Sequence, residues 1–202
     1  MSTPTLHAPP RPPVPPTATT STPRRTIDVA LTVGGLLMTV LLVIAGSLLV
    51  WAHSFVNNEI HNQLAAEQIY FPAANSAAVA GPEFKAMRQY GGQQLTTGAQ
   101  AQVYADHFIA VHLKEIGGGK TYAQLSSQAQ ADPTNTKLAG TVNTMFKGET
   151  LRGLLLNAYA FGTMATIAGI AAIAAFIAAA LMLALSVLGL LHIRRGKIAV
   201  HA

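Results

Sequence analysis

The chain has 202 residues, half of them apolar and a tenth charged, with thirteen Lys and Arg, eight Asp and Glu, and no cysteine. That balance lies outside the norm for a soluble globular domain, and without cysteine there are no disulfides and no thiolate chemistry. The net charge of +5 does not make a basic face for nucleic acid: residues 51–152 hold seven acidic and seven basic residues, and the excess sits in Arg11, Arg24, Arg25, Arg194, Arg195 and Lys197.

Residues 1–26 contain eight of the eleven prolines, including "APPRPPVPP" from Ala8 to Pro16. Such a segment buries too little apolar surface to offset chain entropy, so it is expected to be a disordered, Pro-rich cytoplasmic tail. It is either a solvated tail or a docking segment for a proline-recognising partner.

Val29 to Val50 is free of charge over 22 residues. About 20 helical residues cross a hydrocarbon core, so residues 29–51 are expected to form a first transmembrane helix, with Trp51 at its outer interface. Arg24-Arg25 before this run and Arg194-Arg195-Gly196-Lys197 after the second keep both ends cytoplasmic, which requires an even number of crossings. The competing reading is a cleaved signal peptide ending near "VWA", Val50 to Ala52, although a signal h-region is shorter, at about 7–15 residues. Either way the segment that follows faces outside.

Beyond Trp51, Val56, Ile60 and Leu64 recur every four residues, and the helix is expected to run on until Phe71-Pro72 breaks it. A loop over 73–81 follows, then a short helix opened by Pro82 and closed by Tyr90-Gly91-Gly92. Thr97-Gly98-Ala99-Gln100 has the form of a capping box. In the helix it starts, Ala101, Ala105, Phe108, Ile109, His112 and Ile116 share one face, and Gly117 is the expected left-handed stop. Lys120-Thr121 then begins a link to Asp132-Pro133, read as a capping carboxylate with proline at the first helical position. From Thr134 no proline recurs, and one long helix weakened by Gly140, Gly148 and Gly153 is expected to enter the membrane.

Gly153 to Ile193 contains no Asp, Glu, Lys or Arg over 41 residues. Two spans here would leave the last basic cluster outside, so a single span over 167–191 is preferred, and Asn157 and Tyr159 then lie at or beyond the headgroups. The fold expected is an all-α membrane protein, with two transmembrane helices flanking a small extracytoplasmic bundle of about four helices over 52–166 and a basic cytoplasmic tail over 192–202. Small residues mark both spans: Gly35 with Thr39, and Ala165, Gly169, Ala171, Ala175 and Ala179. They permit packing of the two spans on each other or of two copies as a homodimer.

The triplet Gly119-Lys120-Thr121 ends like a phosphate-binding loop, but that motif needs a glycine five residues before Gly119, where this chain has Lys114. It also follows a helix rather than a strand. No nucleotide site is expected there. His53, Glu59, His61, Asp106, His107, His112 and Glu115 are the remaining candidates for metal or proton chemistry. His107 and His112 stand about 140° apart around a helix, too far for one metal, and His112 lies in the apolar stripe as a packed histidine would. The middle of each span carries no ionisable residue of the kind transport requires. No catalytic, cofactor-binding or metal-binding residue is assigned.

The segments "QIYFP", "YGGQQLTTGAQAQVYADHFIAVHLKEIGGGKTY" and "FKGETLRGLLLNAYAFGT", between Gln68 and Thr163, resemble an uncharacterised actinobacterial family of double-pass membrane proteins, some of which are labelled aromatic ring-opening dioxygenases. The resemblance implies the two-span layout with an outer domain and no established activity. The iron-dependent form of that label would need two histidines and a carboxylate converging on a metal. The expectation is a non-enzymatic accessory or scaffold subunit of the cell membrane, without cofactor, whose outer domain docks a membrane or envelope partner. The alternatives are a small-ligand sensor acting through a partner and a His-based metal-dependent enzyme.

Overall fold

The computed structural model describes residues 24–198, with side chains over 26–194, so the Pro-rich tail expected over 1–26 and the end of the basic tail fall almost wholly outside the described residues. Two long helices frame the fold: α1, Arg24–Ala66, and α6, Thr136–Ile198. Between them lie the short α2, Lys85–Arg88, a helix formed by α3, Gly98–Tyr104, a π-helical turn, Ala105–Ile109, and α4, Ala110–Ile116, and then α5, Tyr122–Ala131. No strand occurs among the described residues; a single bridge joins Tyr70 to Gln94. Both α1 and α6 are long and apolar enough to cross a membrane.

α1 and α6 pack along most of their length on a seam with a seven-residue period. Thr32, Thr39, Gly46, His53 and Ile60 line it on α1, and Ala165, Ala172, Ala179 and Ser186 on α6; all are buried except the half-buried His53. Small residues receive large or polar ones across the seam: a Cβ on Gly46 would come within 3.0 Å of the Phe176 ring, and one on Gly169 within 2.9 Å of His53 Nδ1. The buried Thr39 hydroxyl donates to Gly35 O at 2.8 Å, so its burial leaves no donor unpaired. Of the small residues expected to mediate contact, Gly35, Thr39, Ala165 and Ala179 are buried, whereas Ala171 and Ala175 are half-buried and Ala172 takes the central place. The reason is geometric: two helices stay in contact over many turns only where the repeat is 3.5 residues, the seven-residue period of a left-handed supercoil.

The head, meaning the helical segment between α1 and α6 with the helix ends it packs on, has its own core around Phe71, Val79, Met87, Leu95, Ala101, Ala105 and Met145. The predicted capping box is present. Thr97 Oγ1 accepts from Gln100 N at 3.2 Å, and the buried Gln100 side chain accepts from Thr96 N and Thr97 N. The same pattern recurs at Thr121 and Gln124 and starts α5, where a link was expected. Half of its ten residues are Gln or Ser, and it buries only Leu125, with Tyr122 packed partly buried beside the core, so periodicity gave little signal there.

Other expectations are corrected. α1 stops at Ala66, before Phe71-Pro72 is reached: Gln68 takes φ 52° and reverses the chain, and Gln94 Nε2 donates to Ala65 O at 2.8 Å in place of the next helical amide. Ile116 is exposed and Leu113 is buried in its stead. In an ideal α-helix Leu113 would drift about 120° from Ala101, but the π turn has more residues per turn and brings Ala101, Ala105, Ile109 and Leu113 onto one face. Gly117 is right-handed, with φ −78°, and Gly118 and Gly119 supply the positive φ values of 57° and 79°. α6 is capped by Asn135, whose Oδ1 accepts from Leu138 N at 3.0 Å, whereas Asp132 ends α5 and accepts from Thr134 and Asn135.

Candidate docking face

The head covers one flank of α6. Gly148 meets Leu113, Arg152 Nη2 donates to Asp106 Oδ1 at 3.0 Å, and Ala158 and Tyr159 lie against Gly98. Asp106 is on the π turn, so the same turn that re-aims Leu113 presents the carboxylate to Arg152. At about 100° per residue, Leu154 is nearly opposite Arg152 on α6 and faces away from the head.

On that open flank α1 and α6 enclose a groove of about 540 Å³. Its walls are Phe55, Val56, Ile60 and Leu64 from α1 and Leu151, Leu154, Leu155 and Phe161 from α6. Phe55 is 54 % exposed, Leu154 61 % and Phe161 56 %, an apolar surface that no other part of the described chain covers. Glu59 and Gln63 on α1 and Glu67 in the turn just past its end run along one rim at four-residue intervals, and Gln63 Nε2 donates to Glu59 Oε1 at 2.6 Å. Neither carboxylate forms an ion pair among the described residues. The groove's lower end is one turn past Trp51, which stacks on Phe55 with ring centroids 5.4 Å apart.

Around the residues singled out for nucleotide or metal chemistry, the polar groups bond within the protein. Gly118 N, Gly119 N and Lys120 N donate to Glu115 O, Lys114 O and Gly117 O at 3.1, 2.8 and 3.0 Å, and Thr121 N donates to Gln124 Oε1. Every amide that would wrap a phosphate is spent within the turn. A pocket of about 190 Å³ beside it brings Lys114, Lys120 and Arg152 together with Glu149, while Lys120 Nζ donates to Gln128. His112 Nδ1 donates to Phe108 O at 2.7 Å, and the ring packs against Phe84 and Phe108. His107 Nδ1 reaches Glu83 O, and His53 Nδ1 donates to Ala165 O at 2.7 Å with the Asn57 amide beside its ring. Among the described residues no three His, Asp or Glu side chains converge.

No family model, curated protein or solved structure matches this chain. Its own geometry is therefore the basis for a functional reading.

Two features escaped the sequence reading. Gln63 and Glu67 carried no signal of a rim, because a groove between two helices exists only once their register is set. At the far end of the α1–α6 pair, a second crevice of about 540 Å³ collects Asp28, Thr32, Ser186 and His192, with Thr32 Oγ1 bonded back to Asp28 O at 2.8 Å. Asp28 and His192 lie 164 residues apart in sequence, and only the antiparallel pairing makes them neighbours of one crevice.

Proposed function

We propose that this chain is a double-pass protein of the cell membrane, with both termini cytoplasmic and the head outside, and that it acts as a non-enzymatic accessory or scaffold subunit docking a membrane partner at the α1–α6 groove. The observation that carries the reading is burial: only 17 % of the most apolar 18-residue stretch of each long helix is buried, whereas the core helix of a soluble protein would be mostly covered. Leu31, Leu41, Leu48, Ile170, Leu181 and Leu188 are exposed around these helices, as side chains that meet lipid tails are. The small-residue seam fits the same setting, since in lipid close helix contact rests on van der Waals packing rather than hydrophobic exclusion. Trp51 at one end and the Arg and Lys clusters at the other match the interfacial and positive-inside preferences.

The docking part of the reading is supported by the uncovered groove at the membrane-proximal end of the head. A small-ligand sensor acting through a partner is the second reading, favoured by the groove's volume, which lies within the ~300–1,000 Å³ common to small-molecule sites.

Because the chain has no cysteine, single cysteines report topology cleanly. Gln128→Cys in the head is expected to react with a membrane-impermeant maleimide on intact cells, and Val200→Cys only after permeabilisation. Labelling of both positions on intact cells, or the reverse order, defeats the proposed topology. An amino-terminal tag lost from the membrane-bound product would mean that the first apolar run is a cleaved signal.

A further inference from the structure

Building on the docking reading, we infer that the groove takes a cationic amphipathic helix from another membrane protein. The shape sets the class of occupant. From Phe55 to Ala66, where it ends, the α1 wall runs about 16 Å at ~1.5 Å per residue, which matches three turns of helix, and a furrow between two packed helices is the natural seat for a third. The floor, made by Val56, Ile60, Leu155 and Ala158, is apolar throughout.

Charge selects among apolar helices. Glu59 and Glu67 stand two turns apart on one rim with Gln63 between them, and no Lys, Arg or His lines the groove. A helix laid over them would desolvate both carboxylates, which is costly unless it brings counter-charges. An occupant with leucine-like residues on one face and Lys or Arg along the adjoining edge meets both demands. A second copy of this chain does not, because a two-fold contact presents the same face from both copies, and that face has no Lys, Arg or His to meet Glu59 and Glu67. The groove also opens one turn beyond Trp51, so a helix lying in it would continue directly into the bilayer as a membrane-anchored partner does.

The test uses the full chain in phosphatidylcholine nanodiscs and three fluorescent amphipathic peptides of about 15 residues, long enough to form helix on binding. They share a leucine face and carry lysine, glutamine or glutamate on the flanks, and binding is read by anisotropy against empty nanodiscs. The lysine peptide is expected to bind at least ~10-fold more tightly than the glutamate peptide, and Glu59→Lys with Glu67→Lys to invert that order. Both rim residues are exposed, so the double variant should fold, and unchanged circular dichroism checks this. Equal binding of all three peptides, or a preference that the double variant does not move, overturns the cationic occupant while leaving a docking groove. Absence of binding by any peptide overturns both. Leu154→Cys that forms a disulfide between two copies in membranes would assign the groove to a second copy and overturn the inference as well.

Discussion

Leu113 lies directly over Gly148, so closely that a Cβ on the glycine would overlap the leucine side chain. Gly148 is the point at which α4 of the head presses on α6. Gly148→Ala is expected to lower the stability of the head by ~1–3 kcal/mol, the usual cost of overpacking. Gly153→Ala, five residues on in the same helix and facing open space, should instead stabilise by ~0.5–1 kcal/mol through helix propensity. Thermal melts of the two variants should shift in opposite directions.

The turn at Gly117–Lys120 gives a second contrast. A Cβ on Gly117 would lie 2.5 Å from Lys120 O, so Gly117→Val should destabilise the head by ~1–3 kcal/mol even though its φ is ordinary. Lys120→Ala removes one exposed hydrogen bond to Gln128 and should change stability by less than ~0.5 kcal/mol. If Lys120→Ala unfolds the head in a denaturant titration while Gly117→Val does not, the turn is something other than a structural reversal.

The Asp106–Arg152 pair links the π turn to α6 across 46 residues of sequence. Both side chains are about a third exposed, so solvent screens the pair and a double-mutant cycle with alanine should give a coupling of ~0.5–1 kcal/mol that weakens with added salt. A coupling indistinguishable from zero at low salt would show that the hydrophobic contact of Leu113 with Gly148 aligns the two elements unaided.

Tyr104 packs edge-on to Phe71 and beside Phe108, with centroids 5.4 and 4.9 Å away, and burial raises its hydroxyl pKa above the usual value. The fold therefore favours the neutral phenol. Its contribution to stability is complete below about pH 10, the unfolded value, and is lost as pH rises through the higher folded value. Tyr104→Phe should flatten the fall in melting temperature between about pH 9 and pH 11. An unchanged alkaline slope would place the titration elsewhere.

Along the seam, Gly46 takes the Phe176 ring while Gly34 faces open space. Gly46→Leu should force the helices apart and lower the melting temperature of the protein in nanodiscs, with a cost of ~1–3 kcal/mol, and Gly34→Leu should be tolerated. Equal tolerance of both would mean that α1 and α6 pair in another register.

By itself the sequence determined the elements whose causes are local. Charge-free runs long enough to span a bilayer, the Thr97 box, Pro82 at a helix start and the proline-free stretch after Thr134 each act within a few residues, and each led to a helix that forms. The Thr121 box was equally local and equally readable, but its helix turns only the short stripe of Tyr122 and Leu125 to the core. Tertiary structure decided what depends on partners distant in sequence. The π turn that trades Ile116 for Leu113 sets Leu113 over Gly148 of α6, a contact made with a residue 35 positions away. The seven-residue seam of Thr32, Thr39, Gly46, His53 and Ile60 follows from two long helices having to stay in contact, and it overrides the four-residue spacing of small residues that the sequence displays. The groove with its Glu59 and Glu67 rim exists only between the two helices in that register, because a furrow is a property of a packed pair and neither helix contains it alone.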